Sequence, residues 1–447
     1  MIRDDAIEIW KAGVAAVHGR TLVENAVHLE ETRLSIGDQQ YDLKEFDRIV
    51  VVGGGKFSHF MAEGLEHALG NEVALEKSLA GLVSVPDGSN SQVSLRFIES
   101  VECRPAGINL PTQRVLDATE RMLGLLQEAD DRTLVIALIS GGGSALLEKS
   151  GLPLEDVIAA TNWLSRNGAD ILQLNTVRIA LSDIKGGGLA RAMPSGTMVG
   201  LIVSDVPGDD LRFVSSGPTV EFGEDIFQNA REILDRFDVA NSSSFPASVV
   251  KFLGEKPVRG TTTATISNVL IGDASVALTA AVAKARSLGY SLLFDTLEET
   301  QTCDQVADVV YSFCSQTRKA RQCIINLGEP VVTPGEGAGQ GGRNQHAVLL
   351  AAEKLIIDIP DGQFCFLSGG TDGEDGNTSV AGALFDHQAL TGIAGQQSQI
   401  HDSIKRFDSH TFLSANQLVF ESGPTGTNVA DLRILLRGVR PTSQSAG

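Results

Sequence analysis

The stretch from Leu327 to Asn344 combines glycine with a cation in a way that suits a phosphate group. Four glycines, at positions 337, 339, 341 and 342, lead up to Arg343. Glycine lets a backbone come close to a ligand, and arginine supplies a rigid fork of N–H donors. The residues therefore predict a phosphate-binding loop, although a flexible surface loop with a solvated arginine would have the same composition.

A second cationic glycine turn follows the apolar run Ile49–Val52. The turn is Gly53-Gly54-Gly55-Lys56, and a helical pattern follows it. A buried strand that feeds a helix N-terminus creates an anion site from free N–H groups, to which Lys56 adds a full charge. A tight turn with a solvated lysine is the alternative. The spacing matches neither the Gly-x-x-x-x-Gly-Lys-Ser/Thr phosphate loop nor the dinucleotide motif Gly-x-Gly-x-x-Gly.

A third glycine turn, Ser140-Gly141-Gly142-Gly143-Ser144, follows the apolar run Leu134–Ile139. Two hydroxyl groups and successive backbone N–H groups form a concave anion site where an α/β sheet places its ligands. A serine nucleophile is disfavoured, because the hydrolase motif Gly-x-Ser-x-Gly is not matched.

A polar helical stripe leads into a further glycine turn. Asn175, Arg178 and Lys185 share this stripe, beside a neighbouring apolar one, and Gly186–Gly188 follow directly. A solvated surface explains most polar stripes. The cationic turn at the end of this one favours ligand binding.

Carboxylates follow two of the predicted strands. Asp205 and Asp209 come after Val199–Val203, and Asp372 and Asp375 come after a strand that ends near residue 367. Carboxylates at such positions hold Mg²⁺ or accept a proton from a hydroxyl group, and they are also ordinary turn formers. We favour a functional role for Asp205.

Alternation of apolar strand runs with helical patterns predicts an α/β fold with a doubly wound parallel sheet. The chain has 447 residues, enough for two domains. Residues 241–264 are rich in Ser, Thr and Pro and interrupt the alternation, so they are predicted to be a linker or crossover between domains at 1–240 and 265–447.

The composition narrows the class of protein. The formal charge is −20, which opposes binding to nucleic acid and to anionic lipid. The five cysteines lack Cys-x-x-Cys spacing, and no apolar stretch reaches the length of a membrane span. These features predict a cytoplasmic enzyme with reduced thiols, no nucleic acid partner and no membrane partner, while a homodimer is left open.

Several motifs together resemble those of the class II glycerate kinases, whose C-terminal half is known as the MOFRL domain. The similarity extends from about residue 47 to residue 437. The motifs that carry it are Ser140-Gly-Gly-Gly-Ser-Ala-Leu, Gly168-Ala-Asp-Ile, Ile184-Lys-Gly-Gly, Ser204-Asp-Val-Pro-Gly-Asp-Asp, Ser216-Gly-Pro-Thr, Gly342-Arg-Asn-Gln, Gly370-Thr-Asp-Gly-Glu-Asp-Gly and Gly423-Pro-Thr-Gly-Thr-Asn-Val.

This resemblance implies ATP-dependent phosphorylation of D-glycerate to 2-phosphoglycerate. It implies a Rossmann-like N-terminal domain, a smaller α/β domain with a mixed sheet, and an active-site cleft between them. The family's catalytic lysine and arginine fall on Lys56 and Arg343, and we expect Asp205 to act with them. Mg²⁺ is expected as the metal, with Asp209, Asp372 and Asp375 as candidate ligands. The residues expected to bind nucleotide or substrate are Gly54, Gly55, Ser140, Gly141, Gly142, Gly143, Ser144, Asn175, Arg178, Lys185, Gly341, Gly342 and Asn344.

Two departures from the family pattern concern the acceptor substrate. The chain has Glu102-Cys103-Arg104-Pro105 where the family has a His-Pro pair, and Thr378–Gly382 replaces Thr-Asp-Ala-Ala-Gly. Three alternatives therefore remain: a kinase of a related hydroxy acid, a nicotinamide-dependent hydroxypyruvate reductase, and a non-catalytic metabolite-binding protein on the same scaffold.

Overall fold

The computed structural model describes residues 2–223, 225–255, 259–297, 301–316, 321–333 and 337–438. The chain divides into two compact units. The central unit is Gly19–Gly272, and the terminal unit combines Met1–His18 with Asp273–Gly447. Residues 334–336 of the arginine-bearing loop and residues 256–258 of the predicted crossover lie outside the described residues.

The strands in the described residues are β1 (Val27–Glu30), β2 (Arg33–Ile36), β3 (Gln39–Asp42), β4 (Arg48–Gly54), β5 (Ala80–Pro86), β6 (Ile98–Arg104), β7 (Thr133–Ile139), β8 (Thr197–Val203), β9 (Thr265–Gly272), β10 (Ser291–Leu297), β11 (Gln322–Leu327), β12 (Phe364–Gly370), β13 (Gly382–Asp386), β14 (Val419–Phe420) and β15 (Asp431–Arg437).

The α-helices in the same residues are α1 (Ile2–Ala16), α2 (Gly19–Ala26), α3 (Ser58–Glu76), α4 (Gln113–Gln127), α5 (Leu154–Arg166), α6 (Ile171–Leu181), α7 (Gly188–Arg191), α8 (Ile226–Arg236), α9 (Ala247–Gly254), α10 (Ala274–Ser287), α11 (Cys303–Ser315), α12 (Arg343–Leu355), α13 (His387–Ile393), α14 (Gln397–Lys405) and α15 (Ser409–Ala415). None of these described helices combines the length and apolarity needed to cross a membrane.

The central unit contains a six-stranded sheet that is parallel throughout. Its strand order is β6-β5-β4-β7-β8-β9, so the direction of winding reverses between β4 and β7. Every residue of β7 is buried, as are all residues of β4 except Arg48, because helices cover both faces of such a sheet. This strand order is that of a Rossmann-type fold, which binds ligands at the carboxyl ends of the strands beside the reversal.

The terminal unit contains a mixed six-stranded sheet. Its order is β10-β11-β15-β12-β13-β14; β10 and β11 are parallel, and the remaining pairs are antiparallel. Helix α12 packs on this sheet, with Ala347 and Leu355 in a core shared with Phe366 and Leu435. A parallel sheet and a separate mixed sheet confirm the predicted fold class.

The limits of the two units differ from the predicted domains at three places. Helix α1, predicted within the first domain, belongs to the terminal unit, where the indole Nε1–H of Trp10 donates to the Gly369 carbonyl at 3.2 Å. Strand β9 falls within the predicted second domain, 265–447, but pairs with β8 in the central sheet. Helix α9 lies within the predicted crossover. A strand pattern shows that a segment is extended but does not show which sheet it joins.

All five cysteines are free and buried. Burial raises the pKa of each thiol above its usual value. These thiols are therefore poor nucleophiles.

Candidate functional site

Two of the predicted glycine turns flank the reversal point of the central sheet. Lys56 follows β4, and its backbone N–H donates to the carbonyl of Gly141, which follows β7, at 2.9 Å. The N–H of Ser140 donates in return to the carbonyl of Gly54 at 3.4 Å. The two turns are thus joined at the edge of the sheet where a Rossmann-type fold binds its ligand. We call this region the glycine-turn site.

Gly141 and Gly142 make room for the charged side chains of this site. A Cβ on Gly141 would lie 2.2 Å from Oδ2 of Asp205, and a Cβ on Gly142 would lie 2.9 Å from Cγ of Lys56. A contact of 2.2 Å is far inside van der Waals distance. The absence of side chains in this turn therefore lets Lys56 and Asp205 lie directly against its backbone.

The same turn presents unused hydrogen-bond donors. In the part of the chain that the structure describes, the backbone N–H groups of Gly141 and Gly142 donate no hydrogen bond, whereas that of Gly143 donates to the Ser140 carbonyl. Successive free N–H groups form a concave anion-binding surface. With the cationic side chain of Lys56 packed against Gly142, they suit a phosphate.

The hydroxyl groups of the two serines of the turn, Ser140 and Ser144, each lie beside another serine hydroxyl. The hydroxyl of Ser140 is fully buried, accepts from the N–H of Phe57 at 3.4 Å and lies 3.1 Å from the hydroxyl of Ser58. It therefore joins the turn to the start of α3. The hydroxyl of Ser144 lies 2.8 Å from that of Ser216.

The segment Ser215–Gly217 belongs to this site and was not singled out as functional by its sequence. Its three residues have φ angles of 51°, 63° and 61° in succession, in the left-handed region. Non-glycine residues in this region are strained, and such strain concentrates at functional sites. The Ser215 hydroxyl donates to the Ser140 carbonyl at 2.7 Å, so the segment braces the glycine turn. The run Ser-Ser-Gly is the sequence signal that could have identified this segment as a strained turn.

Arg178 lies half-buried on α6, which packs against the strained segment. Burial lowers the pKa of Arg178, and the carboxylate of Glu148 opposes this effect. Among the described residues, no hydrogen bond or ion pair within 4.0 Å engages its guanidinium group. A desolvated cation without such a partner is stabilised by an anionic ligand. Asn175 lies one turn earlier on the same face of the helix.

Lys185, predicted to bind nucleotide or substrate, lies in a buried ion pair. Its ammonium group lies 2.5 Å from Oε2 of Glu148 and donates to the Leu147 carbonyl at 2.9 Å. The two charged side chains are only 1% and 6% exposed. The hydroxyl of Ser182 donates to the other oxygen of Glu148 at 2.7 Å. The pair therefore fixes the segment after β7 from inside the protein.

Arg343, the first residue of α12, is held by two carboxylates in the terminal unit. Its Nε and Nη2 atoms donate to Asp431 at 2.5 and 3.1 Å. Its Nη1 atom donates to Glu329 at 2.9 Å, and Nη2 lies 2.7 Å from the other Glu329 oxygen. Burial opposes the charge of Arg343, but Asp431 and Glu329 outweigh it and raise its pKa. Neither carboxylate was predicted from the sequence.

The N-terminus of α12 is capped by Asp375, a residue of the loop after β12. The buried carboxylate of Asp375 accepts from the backbone N–H groups of Asn344 and Gln345 at 3.0 and 2.9 Å, and from both of their side-chain amides. A Cβ on Gly342 would lie 2.3 Å from Asp375 Oδ1, and one on Gly341 would lie 2.4 Å from the Ser409 hydroxyl. These glycines thus lie against protein atoms, and the Asn344 side chain donates to Asp375 and accepts from Ser368.

The carboxylates predicted to bind metal lie in different environments. Both Asp375 oxygens are used by the helix cap. Asp372 accepts from the N–H of Glu374 at 3.1 Å within a turn, and Asp209 lies in a loop with a φ of 53°. No group of three or more His, Cys, Asp or Glu side chains arranged to hold a metal ion occurs in the described ranges. Asp205 is the predicted carboxylate that lies against the phosphate-suited backbone.

Two family models match the chain, one on each side of residue 272. A domain of unknown function, DUF4147, matches residues 5–254, and the MOFRL family matches residues 322–431. Rat glycerate kinase is 30% identical, over 97% of this chain and 93% of its own length. The chain belongs to the glycerate kinase family. This result confirms the resemblance on which the sequence prediction relied.

Other relatives agree over nearly the full length. A glycerate 2-kinase of Pyrococcus horikoshii is 29% identical, over 97% of each chain. The crystal structure of a glycerate kinase from Thermotoga maritima superimposes with a TM-score of 0.80 and 28% identity, covering 97% of this chain and 99% of that one. A protein of Agrobacterium vitis, provisionally named a hydroxypyruvate reductase, is 34% identical over 88% of this chain and all of its own.

Proposed function

We propose that the protein transfers the γ-phosphoryl group of ATP to the 2-hydroxyl of D-glycerate and forms 2-phosphoglycerate. The observation that carries this proposal is the pair of N–H groups at Gly141 and Gly142 that donate to no described residue, with the Lys56 side chain beside them at the reversal of a parallel sheet. Membership of the glycerate kinase family supports the choice of phosphoryl transfer and of glycerate.

The glycine-turn site binds the phosphates in this proposal. Phosphoryl transfer requires positioning and neutralisation of charge more than covalent help from the protein. The N–H groups of Gly141 and Gly142 are fixed by the strained segment behind them, so they need no reorganisation to meet an anion. Lys56 supplies a full charge, and Arg178 supplies a second cation that a phosphate would stabilise.

Asp205 fits a role in holding Mg²⁺. A carboxylate beside a phosphate repels it unless a cation lies between them, and Asp205 lies against the same turn backbone as the proposed phosphate. Mg²⁺ in nucleotide sites commonly uses one or two carboxylates together with phosphate oxygens. When bound, the metal neutralises negative charge on the phosphates. Asp205 and the turn would then share the work of orienting the nucleotide.

Arg343 contributes a further cation to the reaction in this proposal. Asp431 orients its guanidinium group from the buried side, and α12 anchors its backbone. Such a planar fork is suited to two oxygens of one carboxylate or phosphate. Its ligand is therefore either the glycerate carboxylate or a nucleotide phosphate.

The test is an assay of D-glycerate with Mg·ATP that follows ADP, combined with identification of the product. Direct consumption of the product by enolase distinguishes 2-phosphoglycerate from 3-phosphoglycerate, because enolase accepts only the former. Formation of ADP that depends on D-glycerate, with an enolase-active product, is expected. An enolase-inactive product would overturn the regiochemistry, and the absence of ADP would overturn the kinase.

Hydroxypyruvate reduction is the second candidate, because a full-length match carries that provisional name. It requires a nicotinamide site, and neither turn beside the sheet reversal has the spacing Gly-x-Gly-x-x-Gly. Oxidation of NADH or NADPH by hydroxypyruvate, without formation of ADP from D-glycerate, would establish the reductase in place of the kinase.

A further inference from the structure

The guanidinium group of Arg343 has two edges that differ in exposure. Asp431 occupies the Nε/Nη2 edge and is 3% exposed, whereas Glu329 occupies the Nη1/Nη2 edge and is 52% exposed. Asp431 is the first residue of the buried strand β15, and Glu329 lies two residues beyond the end of β11. One carboxylate is therefore fixed by the sheet, and the other lies in a loop beside solvent.

Glu329 contacts Arg343 with the geometry that an anionic substrate would use. One oxygen accepts a hydrogen bond from Nη1 at 2.9 Å and the other lies 2.7 Å from Nη2, so both Glu329 oxygens lie along the edge that a planar anion would use. Together the two carboxylates accept three hydrogen bonds from the guanidinium group of Arg343, and Glu329 makes a further ion-pair contact with Nη2. A substrate carboxylate or phosphate cannot form a bidentate contact with this guanidinium group unless one of them moves.

We propose that Glu329 competes with the anionic group of the substrate for the Nη1/Nη2 edge of Arg343, and that substrate binding displaces it while Asp431 keeps the guanidinium oriented. This inference rests on the proposed function, in which Arg343 binds an anion. Glu329 thereby sets the affinity for one substrate and excludes weaker anions. Asp431 is a positioning residue.

The magnitude follows from the exposure of the pair. Ion pairs with a half-exposed partner are weak, so displacement of Glu329 lowers substrate affinity only about two- to fivefold. Glu329→Gln retains the size of the side chain and removes its charge. We expect this variant to lower the KM of one substrate by that factor and to leave kcat within about twofold.

The experiment measures kcat and both KM values for the full-length chain, with D-glycerate and Mg·ATP varied in turn. Glu374→Gln is the matched control, because Glu374 is an exposed carboxylate in the turn after β12 and does not pair with Arg343. It reports the general effect of removing one negative charge. Glu329→Ala provides a second variant, and thermal melting checks that each protein is folded.

A decrease in one KM beyond that of the control supports the proposal and shows whether Arg343 binds glycerate or the nucleotide. Unchanged KM values in both Glu329 variants would overturn it. A tenfold fall in kcat with unchanged KM would also overturn it, because Glu329 would then act in the chemical step. Arg343→Ala separates this inference from the proposed function. If that variant retains full kcat, the proposed role of Arg343 fails. If it loses most of its kcat, that role holds, and the KM values of the Glu329 variants alone decide whether Glu329 competes with the substrate.

Discussion

The glycine turn after β7 and the glycine loop before α12 have similar sequences and opposite hydrogen-bonding. Both place glycines beside a cation and before a helical segment. In the first, the N–H groups of Gly141 and Gly142 donate to no described residue. In the second, the N–H groups of Gly339 and Gly341 donate to Arg406 and Asn377, and those of Asn344 and Gln345 in the helix that follows donate to Asp375.

This difference separates two uses of glycine. At Gly141 the missing side chain lets a charged group, Asp205, lie over a backbone whose N–H groups have no acceptor among the described residues. At Gly342 the missing side chain lets the capping carboxylate of Asp375 reach the helix that carries Arg343. The first region is suited to bind an anion through its backbone. The second is suited to hold one arginine side chain in a fixed place.

Replacement of Lys56 tests the anion-binding side of this comparison most strongly. We expect Lys56→Ala to lower kcat about 100- to 1,000-fold, the usual cost of removing a group that stabilises transition-state charge. Lys149→Ala is the control, because Lys149 pairs with Glu120 at the surface of the same unit. Both are measured by glycerate-dependent ADP formation. A loss of less than fivefold for Lys56→Ala would remove this region from the reaction.

Replacement of Asp375 tests the capping side. Asp375→Ala leaves two backbone N–H groups and two buried amides without their acceptor, so we expect the free energy of unfolding to fall by about 2–3 kcal/mol. Urea denaturation followed by circular dichroism measures this change. Glu374→Ala, which removes an exposed neighbour, should change stability by less than about 0.5 kcal/mol. Unchanged stability with an increased Mg²⁺ requirement would instead make Asp375 a metal ligand.

Adding a single methyl group tests whether the turn after β7 must remain bare. In Gly141→Ala the new Cβ would lie 2.2 Å from Asp205 Oδ2, so the carboxylate must move. We expect kcat/KM to fall about 10- to 100-fold, the loss that a displacement near 1 Å causes in an active site. Gly151→Ala is the control, because no atom lies within 4 Å of its added Cβ. Equal activity of the two variants would show that Asp205 has no positional role.

Much of the anion-binding region could be predicted from local sequence. Apolar runs such as Leu134–Ile139 identify buried parallel strands, and the glycine turn that follows lies at the carboxyl end of its strand. Lys56 and Gly141 are each within a few residues of such a run. The physical signal and the functional residue therefore occur together in the chain.

The partners of charged residues could not be predicted in this way. Arg343 and Asp431 are 88 residues apart, and Lys185 and Glu148 are 37 apart. A single sequence shows that a cation is present but not which carboxylate the fold brings to it. For this reason Lys185 was predicted to contact a ligand, although it belongs to a buried ion pair. The apolar run that follows Asp431 was the available signal for β15.

The smallest expected effect concerns the Mg²⁺ requirement. It compares Asp205, beside the turn after β7, with Asp372 in the other unit. We expect Asp205→Asn to raise the Mg²⁺ concentration for half-maximal activity about five- to tenfold, the loss of roughly one charged ligand contact. Asp372→Asn should raise it less than twofold, because Asp372 accepts a backbone N–H in a turn of the other unit. Activity is titrated with MgCl₂ at fixed ATP. A larger shift for Asp372→Asn would reverse the comparison. The metal would then bind beside Arg343, and the glycine turn after β7 would bind glycerate.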